Sequence, residues 1–368
     1  MRKALGGDRR IEEKGEVRAM TNGNGTAGTE VVMQHKGGLE ALEVVRRGSV
    51  SDPRAGEAVV RVEAAGVSFA EVQMLRGRYF SQPKFPFVPG YDLVGRVEKV
   101  GDGADGWLVG GRVAALTETG AWADRVTLGA SELVVVPEGL PPADAVAVVT
   151  NGVTAWQMIH RAARVRSGQT VVVHGASGGV GTLLVQLARL AGATVVGTAS
   201  ASKHGEVHAL GAIPIDYRTE HLTERVRELS PGGVDAVFDH VGGSGLVGSW
   251  RMLRKGGTLV SYGSASTLGD GGHRLQPYLP IVGRIMLWSV LPNGKRATFY
   301  YVKRWPRRFQ QDLATVLALL SEGKIEARVT EQMPLERAAE ALGLLASGKA
   351  SGKVVLVTEV DDQDAQPS

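Results

Sequence analysis

The stretch with the clearest chemical meaning is a glycine-rich loop between an apolar run and a helical pattern. It reads TVVVHGASGGVG from Thr170 to Gly181, and apolar residues at helical spacing continue through Thr182–Leu190. Ala176 allows a tight turn, Gly178 lets the backbone approach a pyrophosphate, and Gly181 lets the helix pack against the strand. The helix N-terminus then presents free N–H groups to an anion. The loop predicts a dinucleotide site, and a tight turn without a ligand is the alternative.

The residues after the next apolar run indicate which dinucleotide fits. An NAD site usually carries an acid about twenty residues past the loop, but the stretch VGTASASK ending at Lys203 contains none. Ser200, Ser202 and Lys203 can donate hydrogen bonds to a 2′-phosphate, which a carboxylate would repel. Tyr217 and Arg218 follow the next strand and can close over the same phosphate. The pattern predicts NADPH, and the alternative is that Lys203 is a solvated residue at a helix start.

The composition limits what surrounds this loop. The chain has 368 residues, 43% apolar and 22% charged, which is typical of a globular protein with about two domains. It has no cysteine, which excludes disulfides, thiolate zinc sites and iron–sulfur clusters and suits a reducing cytoplasm. The net charge is only +4, and its densest basic cluster, between Lys295 and Arg308, is more typical of a solvated helix end than of a nucleic-acid surface. No apolar run is long enough for a membrane span, and no signal peptide is evident.

The pattern of apolar residues changes along the chain. From Glu30 to about Val134, short alternating runs between Pro and Gly turns predict a mostly antiparallel β domain. A helix over Ala143–Ala162 then precedes alternating strands and helices, which predict a parallel sheet. The predicted strands of this sheet are Thr170–His174, Thr194–Gly197, Ile213–Asp216, Val234–Asp239, Thr258–Tyr262 and Ile285–Ser289. The predicted elements after them are helices at Phe309–Ser321 and Leu335–Ala346 and a strand at Gly352–Thr358.

Six motifs besides the glycine loop identify a family. They are AAGVSFAE from Ala64, RGRY ending at Tyr79, VPGYD ending at Asp92, NGVTA from Asn151, DHVGG from Asp239 and SGKV ending at Val354. With these motifs the chain resembles the zinc-independent quinone oxidoreductases of the medium-chain dehydrogenase/reductase superfamily. This group is zeta-crystallin-like. The resemblance covers residues from about 30 to 360.

The resemblance implies an α/β fold of two parts, with the active site in the cleft between them and a homodimer as the assembly. A GroES-like, mostly antiparallel catalytic domain would take residues 30–152 and 295–360, around a Rossmann NADP-binding domain at 153–294. Residues 1–29 are expected to form a flexible leader, and residues 361–368 a disordered tail. The residues implied to line the cofactor are Thr154, Ala176, Ser177, Gly178, Gly179, Val180, Gly181, Ser200, Lys203, Tyr217, Val241 and Gly263.

Three residues differ from the zinc ligands of related enzymes, and this difference limits the reaction that we expect. Zinc-dependent relatives place Cys, His and Glu where this chain has Ser68, Tyr91 and Asp92, and they carry a four-cysteine lobe that is missing here, so we expect no metal. Without a Lewis acid, the acceptor must itself delocalise the incoming electron pair, as quinones and conjugated enones do. Tyr79 and Ser68 are the candidates to donate a hydrogen bond to the acceptor oxygen. Glu71 is expected to orient them without contacting the substrate.

The sequence therefore predicts a cytoplasmic, NADPH-dependent oxidoreductase that transfers hydride to a quinone or enone. The alternatives are an enoyl-thioester reductase of a biosynthetic pathway and a non-catalytic NADPH-binding scaffold or regulator. Residues 265–305 would discriminate, since Tyr278, Trp288 and the Tyr300–Tyr301 pair can build a larger pocket over a bulky substrate. His174 and His240 end predicted strands near the cofactor, and we expect packing roles for them.

Overall fold

Two β-sheets with different strand directions carry the fold. The computed structural model describes residues 28–48, 50–265, 278–302 and 306–358. In these ranges one sheet is mostly antiparallel and the other is wholly parallel, which confirms the predicted fold class. The predicted tail lies outside the described residues, as does the predicted leader up to residue 27.

The mostly antiparallel sheet combines two distant parts of the chain. Its strands are β3 (Glu57–Val67), β4 (Asp92–Val100), β5 (Arg112–Leu116), β6 (Arg125–Gly129), β7 (Val134–Val135), β14 (Val329–Pro334) and β15 (Lys353–Val357). The order is β14-β15-β3-β4-β5-β7, and β6 pairs with β3. Since β15 pairs with the centre of this sheet, the late segment of the chain belongs to the same layer as the early one.

A hairpin and a short helix border this sheet. Strands β1 (Gly28–Met33) and β2 (Leu42–Arg47) pair with each other in antiparallel register. The hairpin is attached through isolated bridges from Glu30 to Ala123 and from Met33 to Phe87. Helix α1 (Phe69–Leu75) follows β3 directly. Because β1 begins at Gly28, the last two residues of the predicted leader, Gly28 and Thr29, belong to a strand.

The parallel sheet has the strand order expected of a dinucleotide-binding fold. Its strands are β8 (Thr170–Val173), β9 (Thr194–Ala199), β10 (Ile213–Asp216), β11 (Val234–Asp239), β12 (Leu253–Ser261) and β13 (Arg296–Phe299). The order β10-β9-β8-β11-β12-β13 is the doubly wound 3-2-1-4-5-6 arrangement. In that arrangement the order reverses between β8 and β11, and ligands bind at the carboxyl ends of the strands there.

Helices cover the sheets and join them. They are α2 (Pro142–Gln157), α3 (Gly179–Leu190), α4 (His204–Ala209), α5 (Leu222–Leu229), α6 (Gly245–Met252), α7 (Tyr278–Val290), α8 (Pro306–Ser321) and α9 (Ala338–Ala346). Helix α2 starts with proline at a favoured position and continues as a π-helical turn through Met158–Ala163. Its residues from 145 to 155 are all buried, and it packs against β3, β4, β15 and α3. A helix that is apolar all round must lie inside the protein, so α2 forms the core between the two sheets.

The sixth strand of the parallel sheet is not where the sequence predicted it. Residues 285–289 were predicted as a strand, but they lie in α7, which buries Tyr278, Ile281, Ile285 and Trp288 at helical spacing. The strand that completes the sheet is the short and half-exposed β13. The prediction was wrong because an apolar run of only five residues has no clear period. Among the described residues, no helix is long and apolar enough to cross a membrane.

The proposed domain limits stay a prediction, with two differences in detail. Strand β13 pairs with β12, so the parallel sheet extends past residue 294, where the predicted Rossmann range ends. Helix α2 spans the predicted limit at residues 152 and 153 without interruption. A helix buried between two sheets belongs to the core of both domains. A domain boundary within such a helix therefore cannot be assigned from composition.

A buried ion pair ties β15 to β4. Lys353 Nζ lies 3.3 Å from both carboxylate oxygens of Asp92, and neither side chain is more than 3% exposed. The Asp92 carboxylate also accepts the backbone N–H of Thr150 in α2 at 3.1 Å. A Cβ on Gly66 in β3 would overlap both charged side chains, so glycine is required at that point of the sheet.

We predict that Lys353→Met destabilises the protein by about 3–5 kcal/mol, because it leaves the Asp92 carboxylate buried without a cation. Urea denaturation measures this change. The Asp92→Asn/Lys353→Met double variant should recover most of the loss, since no buried charge remains. Lys99→Met, which breaks the exposed pair with Asp52, serves as the control and should leave the denaturation midpoint unchanged. A Lys353→Met protein as stable as this control would contradict the prediction.

Candidate functional site

The glycine loop lies at the carboxyl end of β8, where the strand order of the parallel sheet reverses. Helix α3 begins at Gly179, and its first internal hydrogen bond runs from the Thr182 N–H to the Gly178 carbonyl at 2.9 Å. The N–H groups of Gly179, Val180 and Gly181 precede this bond and have no partner within the helix. Such a helix end attracts anions through these donors and through the helix dipole.

Two residues of the loop have clear packing roles. Gly181 was predicted to let the helix approach the strand, and a Cβ there would indeed overlap the Gly175 carbonyl oxygen. The tight turn, however, was assigned to Ala176, and this needs correction. The left-handed residue is Gly175, with φ of +62°. Ala176 is buried, and a Cβ added to Gly197 of β9 would lie 2.8 Å from its Cβ, so it packs the loop onto the sheet.

Gly178 has a different environment from its neighbours. Its φ of −80° and ψ of 170° suit any residue. A Cβ there would meet nothing nearer than the Gly175 carbonyl oxygen at 3.4 Å, which is an ordinary contact. The fold itself would therefore accept a side chain at 178, and the glycine leaves open space beside the first N–H groups of α3, which have no partner within the helix. A pyrophosphate fits this arrangement.

The residues predicted to hold a 2′-phosphate come together at the ends of β9 and β10. Asp216 pairs with Ala199, so Tyr217 and Ser200 leave the sheet side by side. The hydroxyls of Ser200 and Ser202 lie 3.2 Å apart, and Tyr217 is 53% exposed. Arg218 lies over the Tyr217 ring at 5.6 Å from its centroid. These groups form a polar surface. None of the residues predicted to hold the phosphate is acidic.

Lys203 makes contacts that the sequence did not suggest. Its ammonium donates to the carbonyls of Gly348 at 3.2 Å and Ala350 at 2.9 Å, in the segment before β15. The same segment contacts the glycine loop, where Gly352 N–H donates to the Ser177 carbonyl at 3.0 Å. The cofactor side of the parallel sheet is thus attached to the antiparallel sheet at two points.

The remaining predicted cofactor residues lie around the same edge. Val241 follows β11, and its N–H donates to the Asp239 carboxylate at 2.8 Å. A Cβ on Gly263 would lie 2.7 Å from the His240 carbonyl oxygen, so the loops after β11 and β12 pack closely. Thr154 is buried on α2 and hydrogen-bonds with the Tyr300 hydroxyl.

Of the two histidines near the loop, His174 is buried in a polar network, whereas Nδ1 of His240 is buried without a hydrogen-bond partner. His174 Nε2 lies 3.0 Å from the Ser249 hydroxyl, which in turn donates to the Asp239 carboxylate at 2.6 Å. Burial lowers the pKa of His174, and it lowers the pKa of His240 to about 4. Neutral histidines held in this way support the packing role that we expected for them.

Ser68 and Glu71, two of the three predicted catalytic residues, form the N-terminal cap of α1. The Ser68 hydroxyl donates to the Glu71 carboxylate, and the Ser68 N–H donates to the same oxygen at 2.9 Å. Burial raises the pKa of Glu71 to about 7, although the Ser68 hydroxyl and the Lys353 charge oppose this. The prediction that Ser68 donates to the acceptor needs correction, since its proton is already used within this capping box.

Tyr79 joins two other tyrosines. Its hydroxyl lies 2.8 Å from that of Tyr91 and 2.6 Å from that of Tyr301. Burial raises the pKa of Tyr79 and of Tyr91, so both stay protonated at neutral pH. The sequence reasoning treated Tyr91 only as an unsuitable zinc ligand and Tyr301 only as a pocket wall. No local pattern signals a contact between residues 222 positions apart.

The three positions that bind zinc in related enzymes are therefore engaged elsewhere. Ser68 bonds to Glu71, Tyr91 to Tyr79 and Asp92 to Lys353. Within the ranges that the structure describes, no three His, Cys, Asp or Glu side chains are grouped to hold a metal ion.

Comparisons with known proteins agree with this architecture. Residues 54–140 match the family model described as alcohol dehydrogenase GroES-like domain, and residues 210–356 match that described as zinc-binding dehydrogenase. The synaptic vesicle membrane protein VAT-1 homolog of Danio rerio is 32% identical over 340 residues, covering 89% of this chain and 70% of that protein.

Solved structures of quinone oxidoreductases and related proteins have the same fold. Escherichia coli quinone oxidoreductase complexed with NADPH is 26% identical with a TM-score of 0.79, covering 89% of this chain and 99% of that one. A mycobacterial protein complexed with NADPH, Rv1454c, is 29% identical with a TM-score of 0.77, covering 90% and 99%. The chain therefore belongs to the zinc-independent quinone oxidoreductase group of the medium-chain dehydrogenase/reductase superfamily.

Proposed function

We propose that this chain is an NADPH-dependent oxidoreductase that transfers hydride to a quinone or a conjugated enone. The observation that carries the proposal is the open space at Gly178 beside the free N–H groups of α3. It lies at the strand-order reversal of a doubly wound sheet, where dinucleotides bind. Relatives of the same group are complexed with NADPH, which supports this choice of cofactor.

The chain's own residues would divide the binding of NADPH between them. The Gly178–Gly181 segment holds the pyrophosphate, and Ser200, Lys203 and Tyr217 hold the 2′-phosphate. Thr154, Val241 and Gly263 line the rest of the cofactor. NADPH supplies a hydride from its nicotinamide ring when it is bound. The protein's task is then to hold an electron-poor carbon against that ring and to exclude water.

The acceptor side of the cleft favours a conjugated substrate. The residues at the three zinc positions are already bonded to other side chains. They are therefore poorly placed to bind a metal ion that would act as the Lewis acid for a simple alcohol or aldehyde. A quinone or enone needs only hydrogen bonds to the oxygen that gains charge. The hydroxyls of Tyr79 and of the two tyrosines bonded to it are available to donate them. We assign Glu71 and Ser68 to positioning, because their capping box fixes the start of α1 on the acceptor side.

NADPH oxidation followed by absorbance tests this function directly. Purified protein is assayed with quinones, enones and enoyl thioesters, and NADH serves as the control donor. We expect turnover of a quinone or an enone with NADPH preferred. Turnover of enoyl thioesters alone would assign the chain to a biosynthetic pathway instead, and NADPH binding without turnover of any acceptor would point to a scaffold or regulator.

We predict that Gly178→Ala weakens NADPH binding by about tenfold or more, because the new methyl group occupies space needed by the pyrophosphate. The fold should be unaffected, so the melting temperature should stay near that of the wild type. Fluorescence titration gives the dissociation constant. Gly248→Ala in α6, where a Cβ also meets nothing closer than 3.6 Å, is the matched control. Wild-type NADPH affinity in Gly178→Ala would contradict the assignment of the loop.

We predict that Lys203→Ala weakens NADPH binding by roughly ten- to a hundredfold, the value of a lost charge-assisted hydrogen bond. NADH affinity should not change, because NADH lacks the 2′-phosphate. Titration of both dinucleotides separates this effect from any loosening of the 348–350 segment, which would weaken both. Equal losses for the two cofactors, or none, would remove Lys203 from the phosphate site.

We also propose that the chain forms a homodimer through α7. This helix exposes a stripe of apolar side chains on the face away from the core, beside the edge strand β13. The stripe consists of Leu279, Val282, Met286, Leu287 and Val290. Exposed apolar stripes and uncovered edge strands are the features by which protein surfaces associate.

Leu287→Glu should therefore convert a dimer into a monomer, since it places a charge in the centre of the stripe. Size-exclusion chromatography with light scattering measures the mass. Val44→Glu changes an exposed valine on β2 and should leave the dimer intact. A wild-type protein that is monomeric, or a Leu287→Glu protein that stays dimeric, would contradict this interface.

A further inference from the structure

The cluster of Tyr79, Tyr91 and Tyr301 bridges the two sheets. Tyr79 follows α1 and Tyr91 immediately precedes β4, so both come from the antiparallel side. Tyr301 lies two residues past β13, at the carboxyl edge of the parallel sheet. That edge is where a nicotinamide cofactor is expected to lie. The cluster thus connects the acceptor side of the cleft with the cofactor side.

The distances within the cluster put Tyr79 in the middle. Both short contacts, at 2.8 and 2.6 Å, involve its hydroxyl. The Tyr91 and Tyr301 hydroxyls lie 3.4 Å apart, which is long for a bond between two hydroxyls. The three groups therefore form an open chain and not a closed ring.

Counting protons shows that one of them has no acceptor within the cluster. Each phenol carries one proton, and two protons satisfy the two short contacts. The third proton belongs to Tyr301 if Tyr91 donates to Tyr79 and Tyr79 donates to Tyr301. The reverse order would leave it on Tyr91, which is only 2% exposed, and donation by both Tyr91 and Tyr301 would leave it on Tyr79, which is 6% exposed. In both cases an unsatisfied donor would be buried, which is costly. Tyr301 is half-buried, so the first order leaves the free proton at the more accessible end.

We propose that Tyr301 is the residue whose hydroxyl contacts the acceptor oxygen, and that Tyr79 and Tyr91 position and polarise it. The inference rests on the proposed function, and it moves the substrate contact from Tyr79 to Tyr301. Donor chains of this kind strengthen the bond made by the last hydroxyl. Fixed donors aimed at a developing negative charge are an effective means of stabilising a transition state.

The step balances with NADPH, which the proposed function supplies, as the hydride donor and water as the proton donor. A hydride, which is a proton with two electrons, adds to the acceptor at a carbon conjugated with its carbonyl group. The electron pair of the double bond moves to the oxygen, and the Tyr301 O–H holds that oxygen by a hydrogen bond. Water supplies the proton that completes the reduction, and NADP⁺ is released.

Three single substitutions test the order of the chain in the full-length protein. We expect Tyr301→Phe to lower kcat by about a hundredfold while leaving the dissociation constant of NADPH unchanged. Tyr79→Phe should lower kcat by less, about three- to tenfold, with KM unchanged, because Tyr301 keeps its own proton. Thr315→Val is the matched control, since it also removes one hydroxyl, which bonds to the Gln311 carbonyl within α8 at 2.9 Å and lies outside the cluster. It should keep most of the wild-type kcat.

A binding measurement makes the inference independent of turnover. Duroquinone is titrated into the NADP⁺ complex, which holds no hydride to transfer, and tryptophan fluorescence is followed. Tyr301→Phe should bind the quinone about three- to tenfold more weakly than the wild type and Thr315→Val, the value of one neutral hydrogen bond.

The outcomes separate this inference from the proposed function. Wild-type turnover with kcat of Tyr301→Phe within about twofold of it would overturn the role of Tyr301 alone. A larger loss in Tyr79→Phe than in Tyr301→Phe would return the substrate contact to Tyr79. If the wild type reduces no acceptor, weaker quinone binding in Tyr301→Phe still supports the contact while the proposed function falls. Equal quinone affinity, or no binding to the wild type, overturns the contact.

Discussion

The buried ion pair between Asp92 and Lys353 fixes the positions of both halves of the candidate site. Asp92 is the first residue of β4 and follows Tyr91, which belongs to the tyrosine cluster. Lys353 is the first residue of β15 and follows Gly352, which bonds to the glycine loop. The same carboxylate accepts an N–H from α2, the helix that carries Thr154. A charge pair buried here is favourable only with accurate geometry. That geometry fixes the starts of β4 and β15, and with them the positions of Tyr91 and Gly352, which precede these strands.

The two sides of the cleft have different electrostatic character. The cofactor side offers free N–H groups, an ammonium and hydroxyls, all of which are suited to phosphate. The acceptor side offers phenols that burial keeps neutral, backed by a carboxyl group whose pKa is raised to about 7. The neutral phenols add no negative charge to oppose the charge that an acceptor oxygen gains during reduction. A metal ion is not needed for that purpose when the substrate itself spreads the charge.

Much of the fold could be predicted because its signals are local. The order of alternating strands and helices and the glycine loop follow from periodicity and from residues close in sequence. The errors have physical reasons: residues 285–289 have no decisive period, and the loop's left-handed residue is Gly175 instead of Ala176. The tyrosine cluster and the Lys203 contacts join residues more than a hundred positions apart. Such pairs depend on the tertiary arrangement, which no single-sequence pattern encodes.

The contacts of Lys203 also have a consequence for how the two sheets are held together. Its ammonium bonds to carbonyls at residues 348 and 350, just ahead of the Gly352 bond to the loop. An ammonium has three protons, so two serve these carbonyls and one is left for a phosphate oxygen. Lys203 can therefore contact a 2′-phosphate and still hold the segment ahead of β15 against the parallel sheet.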